Sequence, residues 1–451
     1  MQSTSSSSLA KQIWKASVRS VRSPSIWETY SKQVVSQVPF LGPRDIATVI
    51  HSFARVKFRD DKLIGSLVPS ILKNMDEFSV RELVDILSSF RKLEYSRLDC
   101  LDLMVNQLVL KANEWNEMDC ALIANGMGYF RVFDRSIWRC IEKIITVKKR
   151  GGDSNICSLG IGLVVGALAK LDMRNERILK RLSRALVQDQ TSRLQLMKQE
   201  SFAVILHGFY KLDWTEDYML NQFLEDHISA LLEENNEQSV DFFDNQSICM
   251  ILHALFCYRL ADQRTSLTPQ QCKILTLGVS KLAGQEQWDP SPDQRKRLQD
   301  LVTLYETETR ELKKKLAITR KDKEKKNSIK LPRWEYEVLR ILKDKMQVPV
   351  KRKNQKVGGR TDMVIINPQD DSKVVVILCL GPFQYYADST KRTSCSKLLR
   401  LTLEAGKNNV IEIPFFIWNE LKTDQDKIMY LYSLGRRALA GGDTYSNYLT
   451  S

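Results

Sequence analysis

The pattern of apolar and polar positions repeats six times between Arg44 and Leu260. Each copy is an apolar helical turn with an aromatic residue or leucine as its anchor, then a Lys/Arg followed by Leu or Val, then a second helix. A repeat of this length predicts stacked helical hairpins, because a single hairpin cannot bury its own apolar face. The anchors follow one another at steps of 37, 39, 39, 41 and 46 residues: Phe53, Phe90, Tyr129, Leu168, Phe209 and Leu255. Such a solenoid offers an elongated surface to an extended partner.

Changes in this pattern predict a mainly α-helical chain of five segments. A Pro-Ser-Pro sequence at 290–292 ends the repeats, and the charged helix expected after it, over 293–326, either lies on the solenoid as a spacer or extends as a partly solvated arm. The segments are a basic leader (1–39), the solenoid (40–285), a charged linker (286–330), a small α/β domain (331–439) and a tail (440–451).

Within the α/β domain the spacing of apolar residues changes from a helical period to the alternation that is typical of strands. The elements that it predicts are a helix over 334–342, strands over 361–367, 373–380 and 409–414, and helices over 393–405 and 424–439.

The net charge of +14 is concentrated in three places. Residues 1–27 carry four Lys/Arg and no acid, residues 311–330 nine Lys/Arg against three acids, and residues 343–360 seven against one. The net positive charge of these three segments together exceeds that of the whole chain, so the solenoid is close to neutral. Excess positive charge indicates a polyanionic partner, although the linker run taken alone is also explained as a solvated surface.

The first 27 residues are rich in serine, and their basic residues alternate with apolar ones, which is typical of a mitochondrial transit peptide. A disordered basic tail is the alternative. No apolar run approaches the roughly 18–20 residues that span a bilayer. The nine cysteines form no CxxC pair, so neither a zinc ribbon nor a disulfide framework is indicated.

Three of the four histidines, His51, His207 and His253, stand two residues before an anchor. Stacked repeats are separated by about 10 Å each, so histidines several repeats apart cannot share a metal ion. We interpret this as a packing or surface position that tolerates histidine. No glycine-rich phosphate-binding motif occurs, and no metal or cofactor is expected.

Four runs of the α/β domain resemble the RAP domain: RTDMVIINP, VVVILCLGPFQYY, TSCSKLLRLTLEAG and NVIEIPFFIWNEL. The family is abundant in apicomplexan parasites and occurs in organellar RNA-binding proteins of animals and algae. The upstream repeats resemble the octotricopeptide-type helical pairs that accompany RAP domains. The resemblance implies binding of organellar rRNA or mRNA, in RNA stability, processing or ribosome assembly. The matching residues are Asp362, Gly381, Pro382, Tyr385, Thr393, Lys397, Gly406, Ile413, Pro414 and Trp418.

The RAP resemblance also implies a degenerate nuclease fold of the PD-(D/E)xK, or Vsr-like, type. That chemistry needs carboxylates on adjacent strands to hold a divalent metal. Asp362 could supply one, but the acidic positions of the second strand are Leu378 and Leu380, and magnesium demands oxygen ligands. We therefore expect no catalysis and interpret Asp362 as a strand-start cap or a partner for Arg360. An RNA-processing endonuclease is the least favoured alternative.

A basic and aromatic rim is the RNA site expected in this domain. Lys and Arg side chains reach phosphates, while exposed aromatic rings stack on unpaired bases. The residues of the rim are Lys351, Arg352, Lys353, Lys356, Arg360, Gln384, Tyr385, Tyr386, Lys391, Arg392, Lys397 and Arg400.

The main hypothesis is a non-catalytic RNA-binding protein of the mitochondrial matrix. Its solenoid would track RNA while its RAP domain grips phosphates. The alternative is a structural component of the mitochondrial ribosome, or a protein scaffold, with mitochondrial ribosomal proteins as partners. Inner helices without Lys and Arg on their exposed face would favour that alternative.

Overall fold

The computed structural model describes residues 3–439 with gaps. It forms two compact units, Met1–Phe209 with Glu216–His227, and Tyr210–Thr215 with Ile228–Ser451. The described part leaves out residues 97, 147–155, 189–198, 215–220, 222–242, 262–266, 268, 286–287, 306–308, 311, 314–315, 317–332, 353–362, 368–369, 388–390, 394–395, 398–399 and 401–408.

The N-terminal unit is built from helices that alternate between two layers, A and B. In layer A, α1, α3, α5, α7 and α9 pack on one another in chain order, and in layer B so do α2, α4, α6, α8 and α10. This arrangement confirms the predicted solenoid. The helices are α1 (Ser3–Val18), α2 (Pro24–Gln37), α3 (Pro43–Val56), α4 (Asp61–Lys73), α5 (Val80–Lys92), α6 (Leu98–Leu110), α7 (Glu117–Phe130), α8 (Arg135–Thr146), α9 (Ser158–Lys170), α10 (Glu176–Gln188) and α11 (Gln199–Lys211).

The A helices end in a shared left-handed turn. One or two residues after the helix the chain takes a positive φ, and the amide of the following residue donates to a carbonyl five residues earlier, as in Tyr95 N to Phe90 O at 2.9 Å. This bond satisfies a carbonyl that the helix end would otherwise leave unpaired. The residues in the left-handed conformation are Ser20, Lys57, Glu94, Arg131, Asp172 and Asp213.

These turns define the true register of the repeat, and they correct one anchor. The residue four positions before the left-handed one is the buried anchor, which is Phe53, Phe90 and Leu168 as the sequence predicts. In the third repeat it is Met127, fully buried, whereas Tyr129 is 38% exposed. The predicted anchor Tyr129 is therefore wrong by two residues, because helix phase and not aromatic character decides which side chain turns inward.

The first 39 residues, predicted as a separate leader, contain a further hairpin of the solenoid. Helix α1 packs on α3 and α2 on α4. Ile13 and Trp27 are fully buried, and the Trp27 ring meets that of Phe53 edge-on with centroids 4.9 Å apart. The repeat region therefore begins one hairpin before residue 40. The apolar pattern did not predict this hairpin, because serine and lysine outnumber apolar residues in α1.

Close contacts between A helices depend on glycine. A Cβ added to Gly128 of α7 would lie 2.7 Å from the Cα of Ala167 in α9, and one added to Gly126 would lie 2.7 Å from Leu87 Cδ2 in α5. Both distances are too short for carbon atoms, so glycine allows these helices to approach one another more closely than larger residues would permit.

The C-terminal unit continues with α12 (Asn245–Ala261), α13 (Pro269–Gly284) and α14 (Pro292–Leu304). Ser291 and Gln294 form a capping box that starts α14, which packs on α12 and buries Leu298 and Leu301. The charged helix predicted over 293–326 is interrupted at Tyr305 in its described part, and stacked helices continue past the expected boundary at 285.

The small α/β domain has the three predicted strands and the first and last of its predicted helices, together with one additional strand. Its sheet follows the order β1-β2-β3-β4, antiparallel except for the parallel pair β3 and β4. The elements are α15 (Arg333–Arg340), a π-helical turn (Ile341–Lys345), β1 (Val350–Arg352), β2 (Met363–Asn367), β3 (Asp370–Leu380), β4 (Asn409–Pro414), α16 (Phe415–Glu420) and α17 (Asp424–Leu439). Strand β1 is the addition. The helix predicted over 393–405 lies mostly outside the described residues.

One face of this sheet packs against helices. Val375, Ile377, Ile411 and Ile413 join the core formed with α15, α16 and α17, in which Trp418 is fully buried. Within the described residues, no helix has the length and apolar composition that crossing a membrane requires.

Candidate nucleic-acid interface

Four A helices of the N-terminal unit each present one equivalent side chain at their exposed last turn. It lies two residues before the left-handed residue, and all four are exposed. Neighbouring packed helices have axes roughly 8–10 Å apart, so these side chains form a row from α3 to α9. We call the row the basic line: Arg55, Lys92, Tyr129 and Lys170.

The basic line is most strongly cationic where its first two members meet. Arg91, half-buried, adds a third cation. The pKa of Lys92 is lowered, first by burial and then by the charges of Arg91 and Arg55. Asp85 offsets part of this repulsion. Like charges held together in this way favour a polyanionic ligand, whose phosphates would relieve the repulsion.

His51 lies close to the same cations. The pKa of His51 is lowered, chiefly by burial. Asp85 raises this pKa, but the cations Lys92, Arg55 and Arg81 lower it further. The ring therefore favours its neutral form and adds little charge to the basic line. Among the described residues, no group of three or more His, Cys, Asp or Glu side chains could hold a metal ion.

A wider, partly exposed stripe of the A helices is formed by the residues seven and eleven positions before the basic line, which share one helix face. In α3 and α5 its outermost residues are Arg44 and Arg81, both exposed. In α7 and α9 the stripe carries Leu122 and Leu163, half-buried, and Leu159, exposed. The stripe is therefore cationic in its first half and apolar in its second half.

Two predicted RNA-binding residues of the C-terminal domain are buried. Tyr385 packs against Phe415 and Phe416, and burial raises the pKa of its hydroxyl to about 12. Tyr386 is buried as well, and its hydroxyl donates to the carbonyl of Lys211 at 2.6 Å. The expectation of exposed rings is wrong for both tyrosines, because each ring completes apolar packing or an internal hydrogen bond.

Several predicted cations of this domain are held by carboxylates. Glu412 of β4 pairs with Arg392 and, at 3.1 Å, with Arg400. Lys397 Nζ lies 2.9 Å from Asp213 Oδ2. These pairs offset part of the positive charge, so the predicted rim is less cationic than its composition indicates.

The other predicted rim residues fall into three groups. Lys391 is exposed and Gln384 is half-buried beside it, at the short bridge that joins Tyr385 to Arg392. Lys351 and Arg352 lie in strand β1. The remaining predicted positions lie outside the described residues: Lys353, Lys356, Arg360 and Asp362.

The sheet face opposite the helical core is apolar where a nuclease would carry its acids. Leu378 and Leu380 are buried with Val376 and Tyr385. Leu378 stands in register with Glu412, whose carboxylate is occupied by arginines. Buried leucines cannot bind a divalent cation, so these two positions of β3 supply no ligand for metal-dependent chemistry.

Sequence reasoning missed two features. Phe383 is 94% exposed, and it follows Pro382 in a 3₁₀ turn that precedes the buried tyrosines. The basic line was visible as the Lys or Arg that precedes Leu or Val in the repeated phrase, but its exposure and alignment were not. The sequence signal for the basic line was the recurrence of Lys or Arg at one position of the repeat. The left-handed turns of the structure fix that position.

Two protein families match the chain. The RAP domain matches residues 377–434, which include the end of β3, the whole of β4 and α16, and the first part of α17. The family described as RNA-editing substrate-binding complex 8 protein matches residues 15–239, the repeat region from α1 onward. A comparison with individual curated proteins found no significant match. The chain therefore carries a RAP-domain match at residues 377–434, and its helical repeats are similar to the RNA-editing substrate-binding complex 8 family.

Proposed function

We propose that this protein binds RNA along the basic line and acts in RNA editing or processing. The observation that carries the proposal is the recurrence of an exposed cation at one position in three of four successive A helices, at Arg55, Lys92 and Lys170. A recurring cation at the spacing of stacked helices suits a ligand whose charge also recurs along its length. The matches to both families support an RNA ligand, and one of them is named for a substrate-binding complex of RNA editing.

A cation at the end of a helix also has an explanation that does not involve RNA. The last turn of a helix carries partial negative charge, which a Lys or Arg side chain stabilises. Lys73 ends the B helix α4 in this way and is also exposed. It therefore serves as a matched control for the basic line. The two explanations differ because only the basic line is expected to contact phosphates.

The test is the salt dependence of RNA binding. The variant Arg55→Gln/Lys92→Gln/Lys170→Gln should bind a single-stranded RNA more weakly and lower the slope of log K against log salt by about 2, at roughly 0.7 per lost phosphate contact. Lys73→Gln should leave the affinity for RNA and the salt slope unchanged. An unchanged slope in the triple variant would contradict the proposal.

The C-terminal domain is proposed to bind RNA without cutting it. Lys391 and Arg400 are the exposed cations among the described residues of the predicted rim, although Arg400 also pairs with Glu412, and Leu378 and Leu380 stand where a nuclease would carry acids. Incubation of the protein with RNA and Mg²⁺ or Mn²⁺, beside an Asp362→Ala control, tests this. Cleavage that is lost in the control would establish an endonuclease instead.

We propose a mitochondrial matrix location, in which the ligand is organellar mRNA or rRNA. The support is the acid-free sequence of residues 1–27, with its four basic residues. A reporter fused to residues 1–40 should enter mitochondria, and a version with all four basic residues changed to Gln should not. Equal distribution of the two reporters would argue against this location.

A second candidate function is that of a structural subunit in a protein–RNA assembly, such as the mitochondrial ribosome. It is favoured by exposed leucines on the B helix α6, Leu103 and Leu110, the latter 78% exposed. Apolar side chains in this position suit a protein partner. Co-purification of partner proteins that survives nuclease treatment and is lost in Leu110→Ser would support this role, and loss of partners on nuclease treatment alone would not.

A further inference from the structure

The basic line contains one aromatic residue among its cations. Tyr129 stands in α7 at the position that Lys92 holds in α5 and Lys170 in α9. It is 38% exposed, so part of its ring is open to a ligand. An RNA strand that passes from one lysine to the other must therefore pass the tyrosine.

The ring of Tyr129 has an aromatic neighbour, and the backbone beside it is closely packed. Phe130 contacts it edge-on, with centroids 5.1 Å apart and planes at 90°. The preceding residue, Gly128, lies against Ala167 so closely that no Cβ would fit. These contacts restrict the side chain, and a restricted ring loses less conformational entropy when it stacks on a base.

The surface beside Tyr129 is apolar. Leu122 and Leu163, seven positions before the basic line in α7 and α9, are half-buried on the same stripe. The corresponding residues of α3 and α5 are Thr48 and Asp85, which are polar. The second half of the stripe is thus suited to a flat, weakly polar group, while cations remain on either side of it.

We propose that Tyr129 stacks on an unpaired base of an RNA strand whose phosphates contact Lys92 and Lys170. This inference rests on the proposed RNA binding and specifies its substrate as single-stranded RNA. In a duplex the faces of the bases are occupied by stacked neighbours, so only an unpaired base can stack on a protein ring.

The experiment compares full-length variants on three probes of equal length: an unstructured single-stranded RNA, its duplex, and an abasic single strand. Tyr129→Ala should weaken binding of the single strand roughly 5- to 150-fold, the range expected for one stacked base. Binding of the duplex and the abasic strand should not change. Tyr129→Phe keeps the ring and should bind all three probes as the natural protein does.

Tyr129→Lys separates stacking from charge. It extends the row of cations, so it should strengthen the salt dependence on every probe while still losing the preference for single strands. A Tyr129→Ala variant that binds the single strand normally overturns stacking, even if the triple charge variant confirms the basic line. If the triple charge variant also binds normally, the proposed RNA binding along this line fails as well. An equal loss on the abasic strand would show a structural effect and likewise overturn stacking.

Discussion

Replacing Gly128 with alanine tests whether α7 and α9 are held together through backbone contact. The new Cβ would lie 2.7 Å from the Cα of Ala167 and 2.9 Å from its Cβ. The helices must separate by roughly 0.8 Å to restore a normal carbon–carbon distance of about 3.5 Å. The neighbouring atom belongs to the backbone, so no side-chain rotation can relieve the contact.

The sign of the effect follows from two opposing terms. Alanine is favoured over glycine in a helix by about 1 kcal/mol. Overpacking a tight contact costs about 1–3 kcal/mol, and a backbone contact belongs at the upper end of that range. Gly128→Ala should therefore destabilise the N-terminal unit by roughly 1–2 kcal/mol, a fall of about 2–8 °C in its thermal midpoint.

Gly65 provides the matched control. It lies inside α4, and a Cβ at this position would meet no atom within 4 Å. Gly65→Ala should raise the thermal midpoint, since only the gain in helix propensity applies. Circular dichroism during heating measures both variants. If Gly128→Ala also raises the midpoint, the close approach of α7 and α9 is wrong.

Three further predictions concern stability. Glu94 has a φ of 53°, so Glu94→Gly should stabilise the unit by about 0.5–1 kcal/mol in chemical denaturation, and a loss of stability would contradict the left-handed turn. Trp27→Ala should cost about 3–5 kcal/mol, because Trp27 is fully buried against Phe53; a cost below about 1 kcal/mol would show that the N-terminal hairpin is not part of the solenoid core. Burial raises the pKa of Glu337, but hydrogen bonds, chiefly from Lys427, lower it below its ordinary value of 4.5. The stability that this depressed pKa provides is present above pH 4.5 and is lost as the pH falls further, so acid unfolding should be shallower in Glu337→Gln.

Much of the fold was predictable because its signals are local. The strands at 363–367, 370–380 and 409–414 and the closing helix at 424–439 follow from alternating or helical apolar periods within short stretches. Strand β1 escaped prediction because it has only three residues, and its pairing with β2 spans a distance that no local pattern records. The hairpin α1–α2 escaped because its serine-rich face resembles a leader peptide.

The candidate site was predicted only in part. Tyr385 and Tyr386 have the composition of a stacking platform, but packing against distant residues such as Phe415 and Lys211 buries them. Glu412, twelve residues beyond Arg400, pairs with it across the fold. Burial and charge pairing of this kind depend on which segments come into contact. The spacing of residues along the chain does not show which segments these are.

The sequence by itself determined the repeat and the α/β domain, because periodicity and residue type are properties of single segments. The tertiary structure alone decided which side chains are exposed. Met127 turns inward while Tyr129 stays outside, and Arg55, Lys92 and Lys170 come into one row only when the A helices stack. The physical reason is that exposure and alignment arise from contacts between residues about forty positions apart, whose geometry is fixed by close packing.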